Sequence, residues 1–131
     1  MTIPKELKYS KTHEWARREG NRILVGITDY AQKEISDVVF VETPKVGQEV
    51  LQGKPVAVVE SVKAAFDIYA PVSGKVLQVN RTLETTPGDV NEECYGKGWF
   101  FEIEMSQDGD WNQLLSPDQY ADHLKQESAK H

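Results

Sequence analysis

The chain has 131 residues and a formal net charge of −6, with 39% hydrophobic and 27% charged residues, as in an ordinary globular domain. This length predicts one domain, residues 1–131, with a single modest core. The acidic balance argues against nucleic acid or an anionic membrane surface as a partner, since both attract a basic footprint. No apolar run approaches the roughly 20 residues of a membrane span.

The first ten residues, MTIPKELKYS, contain neither the apolar core of a secretory signal nor the arginine-rich pattern of a transit peptide. We therefore expect a cytoplasmic protein, or a processed form in the mitochondrial matrix. Cys94 is the one cysteine, so no internal disulfide can form, and a reducing compartment fits this composition.

In the first half of the chain, short apolar runs alternate with turn signals. The segment Glu19-Gly20-Asn21-Arg22 predicts the turn of a hairpin. Thr28 and Asp29 are both good N-caps for a short helix over residues 30–35. Strands are predicted around this helix at residues 7–15, 23–27 and 38–41.

The second half of the chain has the denser strand signal. Residues 83–98 are rich in glycine and predict loops, and Ser116-Pro117 predicts the start of a C-terminal helix with a frayed tail over about 125–131. The pattern favours a mainly β barrel or sandwich with two helices, one short and in the N-terminal half. Its further strands are predicted at residues 56–59, 66–69, 76–79 and 99–103.

Lys63 lies midway between two strand-like runs. Pro55 and Pro71 each stand eight residues from it, and proline favours strand ends, so the spacing predicts Lys63 near a hairpin tip. A free lysine has a pKa of about 10.4 and is mostly protonated at neutral pH. Such an amine suits acylation by another enzyme better than catalysis. Spacing alone favours the simpler interpretation, an ordinary solvated lysine at a turn.

The segment Glu60-Ser-Val-Lys63-Ala-Ala, followed by Ala70-Pro-Val-Ser-Gly-Lys-Val76, resembles the lipoyl attachment region of the glycine cleavage system H protein family. The resemblance covers roughly residues 7–124 and implies a barrel-sandwich hybrid fold, with lipoate in amide linkage to Lys63. It implies a carrier and not an enzyme. Further matching motifs follow in the family order, at residues 13–15, 26–32, 37–42, 44–47, 79–80, 90–91, 95–96 and 98–99.

The same resemblance implies a set of partner enzymes. The lipoyl arm of this family takes an aminomethyl group of glycine from the P protein, a pyridoxal-phosphate decarboxylase. The T protein, an aminomethyltransferase, releases ammonia and passes the one-carbon unit to tetrahydrofolate. The L protein, a flavin-dependent dihydrolipoyl dehydrogenase, reoxidises the arm.

Four further residues gain expected roles from the resemblance. Glu14 and Asp67 match positions near the arm, where carboxylates would hold its cationic amine and shield it from water. Glu60 and Ser61 are expected to help lipoate-attaching enzymes recognise the hairpin. Ordinary solvated acids and turn polarity are the simpler interpretations of these residues. The chain departs from the family at Ser36, where glycine is usual; serine is unfavourable there if φ is positive.

Three other functions remain open from the sequence. A lipoyl-relay protein that donates lipoate to 2-oxoacid dehydrogenases would use the same lysine. A biotinyl carrier is disfavoured because Val62 and Ala64 flank Lys63 in place of methionines. An interaction module without a prosthetic group would leave Lys63 unmodified. No acid–base or nucleophile constellation indicates an enzyme.

No metal site is expected from the sequence. His13-Glu14 lacks the second histidine of a zinc helix, since position 17 is Arg17. The three histidines, at positions 13, 123 and 131, are too dispersed to predict a cluster.

Overall fold

The computed structural model describes residues 2–129 and is mainly β. Nine strands are present in this part of the chain: β1 (Lys8–Tyr9), β2 (Glu14–Glu19), β3 (Arg22–Ile27), β4 (Val38–Glu42), β5 (Glu49–Val50), β6 (Pro55–Ser61), β7 (Ala65–Tyr69), β8 (Gly74–Val79) and β9 (Phe101–Met105). The helical segments are α1 (Asp29–Ile35), a 3₁₀ turn (Arg81–Glu84), α2 (Asp89–Glu92), α3 (Asp108–Asn112) and α4 (Pro117–Ala129).

The strands form two antiparallel sheets. Six strands pair in the order β1-β2-β3-β9-β8-β5, and three pair in the order β4-β6-β7. Buried side chains from both sheets meet in one hydrophobic core, including Val25, Ile103, Val59 and Ile68. Full burial of such a side chain contributes about 1.5–3 kcal/mol relative to exposure. The mainly β prediction is confirmed, with sandwich-like sheets and no closed barrel among the described strands.

The predicted N-terminal hairpin is present as β2 and β3. Glu19 pairs with Arg22, and Gly20 between them has φ +61°, a conformation that glycine adopts without strain. The predicted strand over residues 7–15 is interrupted. Its two ends belong to β1 and β2, and the residues between them, 10–13, form a turn.

Helix α1 begins at the predicted cap, because the Thr28 side chain accepts a hydrogen bond from the Ala31 backbone N–H. The helix ends at Ser36, which has φ +73°, so the condition under which serine is unfavourable at this position is met. Asn91 braces this end by donating its side-chain amide to the Ser36 carbonyl and accepting from the Val38 backbone N–H.

The helices of the second half differ from the prediction. Residues 83–98 contain helix α2, whose single turn is too short to produce a helical hydrophobic period. Helix α4 starts at Pro117 as predicted and continues to Ala129, whereas the sequence predicted fraying from Lys125. Glu127 contacts two histidines near the end of this helix, through a hydrogen bond with His13 and a close approach to His123. Residues 130–131, the end of the predicted frayed tail, lie outside the described residues.

Within residues 2–129, none of the helices combines the length and the apolar character needed to cross a membrane.

Candidate functional site

Lys63 lies at the tip of the β6–β7 hairpin, as the proline spacing predicted. The two strands pair from Pro55 opposite Tyr69 to Glu60 opposite Ala65. The side chain of Lys63 is exposed. The hairpin therefore presents a primary amine to solvent at the end of a long antiparallel pair.

Ser61 shapes this tip. Its hydroxyl oxygen accepts the backbone N–H groups of Lys63, at 3.0 Å, and of Ala64, at 3.2 Å. Its own backbone N–H donates to the Ala64 carbonyl at 2.9 Å. The Val62 N–H donates to the Asp37 carbonyl at 3.1 Å, which ties the tip to the segment after α1. The backbone at Lys63 is therefore ordered while its side chain remains accessible.

The Lys63 side chain makes one hydrogen bond. Its Nζ donates to the Glu34 carbonyl at 3.3 Å, beyond the usual range for an N–H···O hydrogen bond. This carbonyl lies in the last turn of α1, where unpaired carbonyls carry partial negative charge. An exposed, long hydrogen bond of this kind leaves the amine free to enter the active site of another protein.

Exposed apolar side chains lie at the tip and on the neighbouring strand β4. Val39, Phe40 and Val62 are 54%, 51% and 71% exposed, and we name them the tip patch. The apolar run Val38–Val41 predicted a strand, but its exposure was not predicted. A bulge between Val38 and Phe40 rotates the middle of β4 outward. The run of four apolar residues, in what proves to be an edge strand, was the feature of the sequence that could have indicated exposed apolar side chains.

Glu14 is buried, with only 1% of its surface exposed. Its Oε1 accepts hydrogen bonds from the hydroxyls of Ser10 and Thr12, and its Oε2 accepts the Tyr69 backbone N–H at 3.1 Å. Burial raises the pKa of the Glu14 carboxyl, and these hydrogen bonds partly offset that rise. The sequence alternative of an ordinary solvated acid is wrong for Glu14.

Asp67 and Glu60 are both exposed. Asp67 lines a groove of about 330 Å³ between β6 and the loop after β4. No hydrogen bond joins the side chains of Lys63, Glu14 and Asp67. Instead, Glu14 meets β7 at the Tyr69 backbone, two residues after Asp67. The structure thus places both carboxylates along the strand that leaves the tip.

The environment of the single cysteine disfavours a nucleophilic role. Cys94 is buried, and burial raises the pKa of its thiol to about 11. The thiol is protonated at neutral pH, whereas the thiolate is the reactive form.

A mainly β sandwich with an exposed lysine at the tip of an ordered hairpin is the architecture expected of a carrier domain. Comparison with known proteins identifies the particular family. The family model for the glycine cleavage H-protein matches residues 7–127. The chain therefore belongs to the glycine cleavage H-protein family.

Individual relatives agree with this assignment. The chain is 53% identical over 125 residues to a glycine cleavage system H protein of Rubrobacter xylanophilus, covering 95% of this chain and 97% of the relative. It is 53% identical over 128 residues to one of Thermus thermophilus, covering 98% and 100%. The crystal structure of a glycine cleavage system H protein from Mycobacterium marinum matches with TM-score 0.86 and 32% identity, covering 94% and 99% of the two chains.

Proposed function

We propose that this chain is the lipoyl carrier of a glycine cleavage system, with lipoate in amide linkage to Lys63. The observation that carries this proposal is the exposed Lys63 amine at the hairpin tip of a chain that belongs to the H-protein family. The chain itself catalyses no step. It presents the arm in turn to the P protein, the T protein and the L protein, and tethering raises the effective concentration at each of them.

The surroundings of Lys63 fit an acylated lysine. Ala64 and Ala65 are small, and both are exposed beside it. Acylation converts the ammonium to an amide, which keeps one N–H donor. The hydrogen bond to the Glu34 carbonyl therefore remains available after attachment. When bound, lipoate supplies the dithiolane for carrier and redox chemistry, and the protein supplies its presentation.

Glu14 and Asp67 are proposed to hold a cationic amine cargo on the arm. Asp67 lies four residues from Lys63, or about 13 Å along an extended strand. Three of the roughly four acceptor positions of the Glu14 carboxylate are occupied, which leaves one on Oε2. A buried carboxylate attracts a cation more strongly than an exposed one, because the surrounding dielectric constant is lower. Exclusion of water there slows hydrolysis of the cargo.

The cargo proposal is tested by removing charge while keeping shape. We expect the loaded carrier with Glu14→Gln and Asp67→Asn to release ammonia faster than wild type in the absence of the T protein. Glu42→Gln is the matched control, because Glu42 lines the same groove as Asp67. Equal decay of the wild-type and double-variant carriers would show that these carboxylates do not shield the cargo.

Glu60 and Ser61 are proposed to serve the enzymes that attach lipoate. The Ser61 hydroxyl accepts the backbone N–H groups of Lys63 and of the next residue, Ala64. Glu60, directly before Ser61, adds an exposed negative charge. An attaching enzyme that reads the tip would therefore meet an ordered turn with a charged flank.

The proposed function is tested by intact mass spectrometry of the protein from its native host, with peptide mapping around Lys63. We expect a mass increment equal to one lipoyl amide, located on Lys63. An unmodified or biotinylated Lys63, in cells that lipoylate other proteins, would contradict the proposal. A lipoyl-relay role is not favoured by the comparisons, and unchanged lipoylation of 2-oxoacid dehydrogenases in a deletion strain would exclude it.

A further inference from the structure

Two histidines and a carboxylate converge where helix α4 packs over the turn before β2. His13 Nε2 lies 3.0 Å from Glu127 Oε2, and His123 Nε2 lies 2.9 Å from Glu127 Oε1. The three candidate ligand atoms all lie within 4.8 Å of one another. The sequence predicted no metal site, because His13 and His123 are distant in the chain and only the fold unites them.

The spacing of these atoms suits a small divalent ion. Ligands about 2.0–2.1 Å from a tetrahedral zinc ion lie about 3.4 Å from each other. The two nitrogen–oxygen distances here are a few tenths of an ångström shorter, so a small outward movement of the Glu127 carboxylate makes room. His123 and Glu127 are four residues apart on α4 and thus share one face of the helix.

The ring of His13 is oriented by buried neighbours. Its Nδ1 lies 2.9 Å from the Tyr120 hydroxyl, which in turn lies 2.7 Å from the Thr28 hydroxyl. When Nδ1 carries the proton and donates it to Tyr120, the Nε2 lone pair faces Glu127. Partners of this kind commonly fix the tautomer of a metal-binding histidine. Burial also lowers the pKa of His13, which favours the neutral ring.

The backbone at His13 supports a positioned side chain. His13 has φ +75°, one of two positive-φ residues other than glycine within residues 2–129. Such conformations are costly for residues with a side chain and occur often at ligand-binding sites. The side chains of His13, His123 and Glu127 are 15%, 20% and 30% exposed, so solvent can reach the cluster and supply a further ligand.

We propose that His13, His123 and Glu127 bind a divalent transition-metal ion, with Zn²⁺ as the best-matched probe and water completing the coordination. Two imidazole nitrogens and one carboxylate are an established zinc ligand set. His123 Nε2 also lies 3.0 Å from the Lys11 carbonyl, and this hydrogen bond is given up on binding as the ring changes to its Nδ1–H tautomer. A bound ion fastens α4 to the turn that carries His13, directly before Glu14 at the start of β2.

The test uses the full chain, without an affinity tag and without lipoylation, so that lipoyl thiols do not compete for the metal. Zn²⁺ alone is titrated in competition with a chromophoric chelator, and Co²⁺ is used to record the visible spectrum of the site. We expect one ion per chain. His123→Gln and Glu127→Gln should each weaken binding by about tenfold or more, by analogy with measured effects in metal sites. Asp122→Asn, an exposed acid on the same helix, should leave the affinity unchanged.

Thermal unfolding separates loss of the site from loss of the fold. Zn²⁺ should raise the melting temperature of the wild-type chain by linkage and raise that of His123→Gln by clearly less at the same Zn²⁺ concentration. Glu127→Gln keeps a hydrogen-bonding side chain, so its circular dichroism should match the wild type without metal. The proposal is overturned if the wild type binds no Zn²⁺, or if both variants bind Zn²⁺ as tightly as the wild type.

Discussion

The hairpin tip and the Ser10–Glu14 turn are held in opposite ways. At the tip, the backbone is ordered by Ser61 while the Lys63 side chain is exposed, with one long hydrogen bond. At the end of the turn, the Glu14 side chain is buried, and its carboxylate accepts hydrogen bonds from two hydroxyls and one backbone N–H. Under the proposed function, this difference matches a division of labour, with attachment where other proteins can reach and charge where water is excluded.

The largest expected effect comes from Lys63→Arg. Arginine keeps the positive charge and can still donate to the Glu34 carbonyl, but it cannot form the amide with lipoate. We expect complete loss of lipoylation and of glycine cleavage in a reconstituted system, with an unchanged melting temperature. Lys75→Arg, at another exposed position, should retain full lipoylation. Lipoylation of the Lys63→Arg protein would break the assignment of the tip as the attachment site.

The second prediction concerns the enclosed carboxylate. Glu14→Ala leaves the Tyr69 N–H and two hydroxyls without their acceptor, and we expect it to lower the free energy of unfolding by about 2 kcal/mol. Glu14→Gln keeps an acceptor and nearly the same volume, so it should be less harmful. Urea denaturation at neutral pH measures both. Equal stabilities of the alanine variant and the wild type would mean that the turn is not held through Glu14.

The wild type and Glu14→Gln together also test how stability depends on pH, and the direction of the change can be predicted. Because burial raises the pKa of folded Glu14, the folded state binds this proton more tightly than the unfolded state. The Glu14 contribution to stability therefore falls as pH rises from the ordinary carboxyl pKa through the raised value, and is constant above it. We expect the stability of wild type relative to Glu14→Gln to decline over that window. An increase in this difference would contradict the raised pKa.

Sequence patterns predicted the position of Lys63 at the tip better than they predicted the burial of Glu14. Lys63 follows from the spacing of Pro55 and Pro71, because strand length and proline position are local properties. The Glu14 carboxylate accepts a hydrogen bond from the Tyr69 backbone, 55 residues away, and no local pattern encodes that contact. The meeting of His13 with His123 has the same origin. Resemblance to a family supplied the position of Glu14 but not its hydrogen-bond partners.

Ser36 lies in the short segment between α1 and β4, which is hydrogen-bonded to the tip. A substitution at this position should stabilise the protein. Ser36 has φ +73° and ψ −159°, a region that essentially only glycine occupies without strain. We expect Ser36→Gly to raise the free energy of unfolding by about 1 kcal/mol, after the entropy cost of glycine is subtracted. Ser106→Gly is the control, because Ser106 does not have positive φ and should gain nothing. Destabilisation by Ser36→Gly, measured in urea, would contradict the inferred strain.

The smallest expected effect comes from Ser61→Ala. This variant tests whether lipoylation needs the ordered backbone of the tip or only the exposed Lys63 amine. Ser61→Ala removes the acceptor for the Lys63 and Ala64 N–H groups and should cost about 0.5–1 kcal/mol, as loss of a capping hydroxyl does. If the attaching enzyme recognises the ordered turn, kcat/KM for lipoylation should fall by up to about fivefold, because about 1 kcal/mol corresponds to that change in rate. Ser61→Thr keeps the hydroxyl and should restore the rate. Wild-type kinetics for Ser61→Ala would show that exposure of Lys63 suffices, and that Ser61 serves only the fold of the hairpin.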